Sequence, residues 1–203
     1  MSSEVFTKII LASSSKTRRD ILEKAGVVVE AMSPRVDEEE IKSAMFAEKA
    51  GAAEIAEVLA EQKARSVSRR QPRDLVIGAD QILEMGGQIY SKPSDLASAR
   101  QSLVSLRGQE HRLFSCVCVL RDGERLWHKL DSARLTMREF SDEFLDTYLQ
   151  SIGEQALAGP GSYQIEGAGS QLFSKISGDY FTILGLPLLP LLDFLRVQGA
   201  LRS

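Results

Sequence analysis

The chain has 203 residues, 43% of them hydrophobic, 26% charged and 6% aromatic, which are the proportions of one soluble globular domain held by an ordinary core. Twenty-five Lys and Arg against 28 Asp and Glu leave a net charge of -3. That balance excludes a general polyanion-binding surface and confines any phosphate contact to a local cluster. Two cysteines, Cys116 and Cys118, are too few for a disulfide scaffold, and their i, i+2 spacing puts both on one face of a strand as core thiols. A reducing, cytoplasmic compartment is the expectation. Residues 1–10 lack an apolar signal core, and the C-terminal apolar run is broken by Pro187, Pro190 and Asp193, so neither end predicts a membrane span.

Periods of two and of 3.6 alternate along the sequence, which predicts a single mixed α/β domain over 1–203. Lys8 to Ala12 reads as a buried strand, Ser13 to Ser15 as a polar turn, and Thr17 to Ala25 as a helix stopped by Gly26. Val27 to Met32 is a β-branched strand ended by Ser33-Pro34, and the acidic run Asp37 to Glu40 follows. Glu39 to Arg70 has helical composition, with Gly51 as a candidate break and Pro72 as the stop. Leu75 to Ala79 predicts a central strand that delivers Asp80 and Gln81 at its end, and Ile82 to Tyr90 a hairpin turning at Gly86-Gly87. Ser94 caps a helix to Leu106, a second hairpin turns at Asp122-Gly123, and Ser141 caps a helix to about Ile152. A loop bearing Gly159, Gly161, Gly167 and Gly169 leads to a strand near Leu172 to Ile176, and Pro187 to Val197 closes the chain as an apolar helix.

The serine-rich turn between strand and helix is a natural anion site, because free backbone N–H groups and the helix dipole both favour negative charge there. Arg18 and Arg19 sit in the first helical turn, where a cation is unfavourable. An anion in front of them and a solvated basic face are both compatible with that placement. Asp37 to Glu40 has the oxygen donors for a hard cation, although taken alone a first helical turn explains it better. Asp80, at the carboxyl end of an apolar strand, is the stronger carboxylate candidate. Lys92, restrained by Pro93, can project an ammonium toward the same crevice, yet alone it is an ordinary surface lysine.

Other chemistries are poorly supported. There is no G-x-x-x-x-G-K-[ST], G-x-S-x-G or H-E-x-x-H motif, and the glycine loop does not fit G-x-G-x-x-G. Both histidines, His111 and His128, fall in predicted strands. Sparse aromatics and negative net charge disfavour single-strand nucleic-acid binding.

Six segments taken in order, LASSSKTRRDIL (11–22), SPRVDE (33–38), LAEQKA (59–64), VIGADQ (76–81), SKP (91–93) and GDYFTILGLPL (178–188), resemble the Maf family of nucleoside triphosphate pyrophosphatases. The resemblance implies an elongated mixed sheet with helices around a central cleft, similar to inosine triphosphate pyrophosphatases. It also implies a divalent metal, Mg²⁺ or Mn²⁺. By the same resemblance Ser13 and Arg18 bind phosphate, Glu38 helps hold the metal, Lys63 and Lys92 bind the triphosphate, and Asp80 is catalytic with Gln81 beside it. The implied substrate is a nucleoside triphosphate, with no nucleic acid and no membrane as partner and a homodimer expected from the family alone. This sequence departs from the usual pattern at Lys16-Thr17. Its Ala79-Asp80-Gln81 and Ile165-Glu166-Gly167 resemble the 7-methyl-GTP-directed branch, with Glu166 a candidate acceptor for a guanine-type edge. The alternatives are a dTTP/UTP-directed pyrophosphatase and a non-enzymatic inhibitor of septum formation acting through a protein partner.

Overall fold

A computed structural model describes residues 8–202; the expectation for the start of the chain falls partly on residues 1–7, outside the described residues. Among the described residues the seven strands are β1 (Ile9–Ala12), β2 (Glu30–Ala31), β3 (Leu75–Met85), β4 (Gln88–Tyr90), β5 (Glu110–Arg121), β6 (Glu124–Met137) and β7 (Phe173–Ser177). The α-helices among the described residues are α1 (Lys16–Lys24), α2 (Glu38–Ala47), α3 (Ala52–Ser68), α4 (Leu96–Leu106), α5 (Asp142–Ile152), α6 (Tyr180–Ile183) and α7 (Leu188–Val197). Hydrogen bonding orders the strands β2-β1-β3-β5-β6-β7, with β4 on β3. The sheet is mixed: β1 runs parallel to β2 and β3, whereas β3 with β4 and β6 with β7 are antiparallel.

The chain divides into two compact units. One takes in the described residues through Gln81, then Ser115–Asp131, then those from Leu184; the other takes Ile82–Phe114 and Ser132–Ile183. In the first unit β1 is buried along its whole length, as is β3 from Leu75 to Asp80, which matches the continuous apolar runs of a parallel sheet covered on both faces. Helix α1 contributes Ile21 and Leu22, α3 contributes Ile55, Leu59 and Val67, and α7 contributes Leu188, Leu191 and Leu195 to this core. Cys116 and Cys118 lie in it as unpaired thiols, and burial pushes Cys116 up to about 12, which keeps it protonated and unreactive. The second unit packs Leu103 and Leu106 of α4 with Leu113, Leu135, Leu145 and Leu172. No helix among the described residues is long and apolar enough to cross a membrane.

Several predicted boundaries move. Strand β2 keeps only Glu30 and Ala31 of the six-residue β-branched run, because it is the edge strand and Val28 is almost fully exposed. Gly51 does divide the long helical segment: it is the N-cap of α3, and Lys49 takes a left-handed φ of 62° just before it. Helix α4 is capped by Asp95 rather than Ser94, since the Asp95 carboxylate accepts from Ser98 N–H while Ser98 Oγ accepts from Asp95 N–H, a closed capping box. Asp122 and Gly123, with φ of 51° and 77°, make the predicted tight hairpin turn. β3 does not stop at Ala79 but continues through Asp80 to Met85.

In the second unit His111 is sealed from solvent with its Nε2 2.9 Å from the Tyr163 hydroxyl, while its Nδ1 is buried without a partner. Burial lowers the imidazole from 6.5 to about 4, so the folded ring is neutral. The folded value lies below the unfolded one; this contribution to stability is therefore complete above pH 6.5 and is lost as pH falls toward 4. Urea unfolding of the wild type should lose on the order of 3 kcal/mol more across that window than His111→Phe does. Parallel pH dependences for the two proteins would contradict the assignment.

Candidate active site

The site is built on the first unit. Ser13 ends the buried stretch of β1 and turns the chain: its Oγ accepts from Ser15 N–H at 3.1 Å, and Ser15 Oγ in turn accepts from Arg18 N–H as the N-cap of α1. The serine oxygens that the sequence offers to an anion are thus already acceptors within the turn, although each hydroxyl keeps its hydrogen to donate. Arg18 is buried, and its guanidinium donates from Nε to the Gly185 carbonyl at 2.8 Å and from Nη1 to the Ala79 carbonyl at 2.9 Å. Those carbonyls are what offsets a cation at a helix N-terminus. Burial lowers the Arg18 pKa, and the charges of Asp80 and Glu38 oppose that shift.

Asp80 lies two residues beyond Gly78, the last β3 residue paired to β1, so it sits where the parallel part of the sheet ends even though its own strand continues. Side chains two apart on a strand share a face, and Gly78 and Asp80 both face α3. At Gly78 a Cβ would collide with the Ala60 carbonyl and lie 2.7 Å from the Ala64 Cβ, so only glycine lets α3 pack this closely. Lys63, on the same turn of α3, is thereby delivered to Asp80. Its Nζ lies 2.6 Å from Asp80 Oδ1 and 2.8 Å from Glu38 Oε1. Glu38 is the first residue of α2, whose N-terminus is set by Asp37 accepting from Glu40 N–H. One buried ammonium therefore gathers the two carboxylates.

Gln81 points to the opposite face of β3 and donates from Nε2 to Ser115 Oγ at 2.9 Å. Gly185 completes the arrangement: with φ of 89°, any side chain there is strained, and a Cβ would come 3.3 Å from Arg18 Nη2 and 3.6 Å from the Gln81 amide carbon. Lys92 and Glu166 belong to the second unit; Lys92 is exposed just past β4, and Glu166 is exposed in a turn of the glycine loop. That loop is pinned by the Tyr148 hydroxyl, which accepts from Gln164 N–H.

Six of the eight predicted site residues, Ser13, Arg18, Glu38, Lys63, Asp80 and Gln81, thus fall in one unit, linked by the contacts above. The positioning residues Gly78, Gly185 and Ser115 escaped the sequence reading, although a glycine inside an apolar strand is itself a signal of close backbone approach. The donor set suits a hard divalent cation: Glu38 and Asp80 offer carboxylate oxygens, and no group of three His, Cys, Asp or Glu among the described residues forms a closed metal cage. Mg²⁺ is held in that way, by one or two carboxylates with water and substrate phosphates filling the rest.

A strand-turn-helix with a buried arginine thus shares one unit with two carboxylates joined by a lysine. The family model described as Maf-like protein matches residues 8–198, and the chain belongs to that family. It is 51% identical to a nucleoside triphosphate pyrophosphatase of Paramagnetospirillum magneticum, over 95% of this chain and 99% of the relative. It is likewise 51% identical to a nucleoside triphosphate pyrophosphatase of Caulobacter vibrioides, over 96% and 98%. A 7-methyl-GTP pyrophosphatase of Rhizobium johnstonii is 50% identical over 96% and 98%.

The glycine at position 78 is directly testable. Gly78→Val should push α3 off β3, lengthen the Lys63 to Asp80 contact and cost about 1–3 kcal/mol of stability, the range for overpacking a filled core. Thermal unfolding and a crystal structure of the variant measure both effects, and a variant with wild-type stability and an unchanged 2.6 Å contact would refute the role given to Gly78.

Proposed function

We propose that this chain is a nucleoside triphosphate pyrophosphatase that converts a nucleoside triphosphate and water to the nucleoside monophosphate and pyrophosphate. The observation that carries the reading is the ammonium of Lys63 held at once by Asp80 and Glu38 in the unit that also buries Arg18. Names of relatives at about half identity over nearly the full length support the same activity.

In this mechanism a water oxygen attacks the α-phosphorus while the bond from that phosphorus to the oxygen bridging to the β-phosphorus breaks, and the electron pair leaves with pyrophosphate. Asp80 accepts the water proton or fixes the water in line. Glu38 and Asp80 would hold a Mg²⁺ or Mn²⁺, which when bound supplies Lewis-acid stabilisation of phosphate charge. Arg18, Lys63 and Lys92 offset the charge that gathers on the leaving pyrophosphate, and Ser13 and Gln81 orient the substrate. Arg18 is well suited because its two carbonyl bonds fix the plane of the guanidinium before substrate arrives.

The base preference we assign is 7-methyl-GTP, with the Glu166 carboxylate accepting from the N–H groups of a guanine edge. One group of relatives bears that name, whereas neither a pyrimidine-directed enzyme nor a division inhibitor is favoured by any relative named above.

Asp80→Asn should lower kcat by at least about 1000-fold, roughly 4 kcal/mol of transition-state stabilisation, in a protein that still folds but melts below the wild type because the Lys63 ammonium loses a buried charged partner. Removing divalent metal with EDTA should abolish turnover of the wild type. A panel of standard and modified nucleoside triphosphates, assayed with Mg²⁺ and with Mn²⁺, should yield pyrophosphate as the first product. Orthophosphate as first product, or near-normal turnover by Asp80→Asn, would refute the reading.

A further inference from the structure

The contacts of Lys63 have a consequence for the order in which ligands arrive. Its side chain and that of Asp80 are each only 7% exposed, and its ammonium touches Glu38 as well. Two carboxylates alone would carry a charge of -2; with Lys63 between them the cluster carries -1. A divalent cation taking these oxygens in the substrate-free protein must displace the ammonium or share them with it, and like charges repel strongly where water is scarce. A polyphosphate chain changes the balance, because it offers the ammonium a denser set of anionic oxygens. Lysine is suited to such a transfer: its point charge rides on a flexible stem and donates in three directions.

We propose that Lys63 is the resident counter-ion of the metal-binding carboxylates, and that it admits a divalent metal only together with a polyphosphate, which draws the ammonium away from Glu38 and Asp80. This rests on the reading above that Glu38 and Asp80 hold the metal. Binding linkage is reciprocal, so nucleotide and metal each raise the affinity for the other by the same factor. A nucleoside monophosphate brings too little charge to keep the ammonium away. After cleavage Lys63 therefore returns to the carboxylates, and the metal departs with the pyrophosphate. Lys63 thus selects triphosphate over monophosphate in addition to any contact with the phosphates themselves.

The test is Mn²⁺ affinity, read as bound and free Mn²⁺ by electron paramagnetic resonance, for the wild type and for Lys63→Gln, each with and without the α,β-methylene analogue of GTP. Without the analogue, Lys63→Gln should bind Mn²⁺ at least tenfold more tightly than the wild type. In the wild type the analogue should recover at least that factor. Because removing a buried lysine can disturb folding, a second measurement uses the wild type alone: the ¹⁵N signal of the Lys63 ammonium should shift when the analogue is added without metal. Equal Mn²⁺ affinity of the two free proteins, or a Lys63 signal unmoved by saturating analogue, would overturn this proposal while leaving the metal reading intact. No Mn²⁺ binding by either protein with the analogue present would overturn both.

Discussion

A buried ammonium shared by two carboxylates is the constraint on which the first unit of this protein turns. Taking Lys63 and Asp80 out of water is costly, and the cost is recovered only if the partners stay within hydrogen-bond distance. Three elements must therefore hold their places together: α2 presents Glu38, α3 presents Lys63 and β3 presents Asp80. Gly78 sets the separation of the last two by leaving no side chain between strand and helix. Removing any one charge would strand the others, so the cluster behaves as a unit and its single-residue effects should not add.

Arg18 extends the same logic to the sheet's polar end. Its guanidinium joins the carbonyl of Ala79, one residue before the catalytic candidate, to that of Gly185, far along the chain. The Ala79 and Gly185 carbonyls are thereby given a donor, and the guanidinium is held rigid between them. Gln81, on the other face of the strand, is steadied by Ser115 of β5. Asp80 stands on β3 itself and Lys63 within α3, while Arg18 and Glu38 come from the first turns of α1 and α2.

Where local chemistry decides structure, the sequence was legible. The strand-turn-helix over residues 9–24 follows from an apolar run, three serines and a terminal glycine, and the Asp122-Gly123 hairpin follows from two residues that tolerate positive φ. What was hidden depends on partners distant in the chain. Strand propensity in the run 27–32 lies in Val27 to Val29, but as an edge segment it ladders only at Glu30 and Ala31. The one-turn helix α6 has no periodic pattern to show. Lys63 reads as one helical lysine among several, and its importance comes from the packing of α3 on Gly78; only the resemblance to the Maf family singled it out. Asp80 was found from its apolar strand, yet the expectation that the strand ends there was wrong, because the sheet and not the strand changes at that point.

In this Maf family member one lysine holds the two carboxylates of Glu38 and Asp80 together. The central claim is that this assembly directs water to the α-phosphorus of a nucleoside triphosphate. Hydrolysis in H₂¹⁸O followed by mass spectrometry of both products tests it most directly. The account predicts one ¹⁸O atom in the nucleoside monophosphate and none in the pyrophosphate; label in the pyrophosphate would place the attack on the β-phosphorus and contradict it.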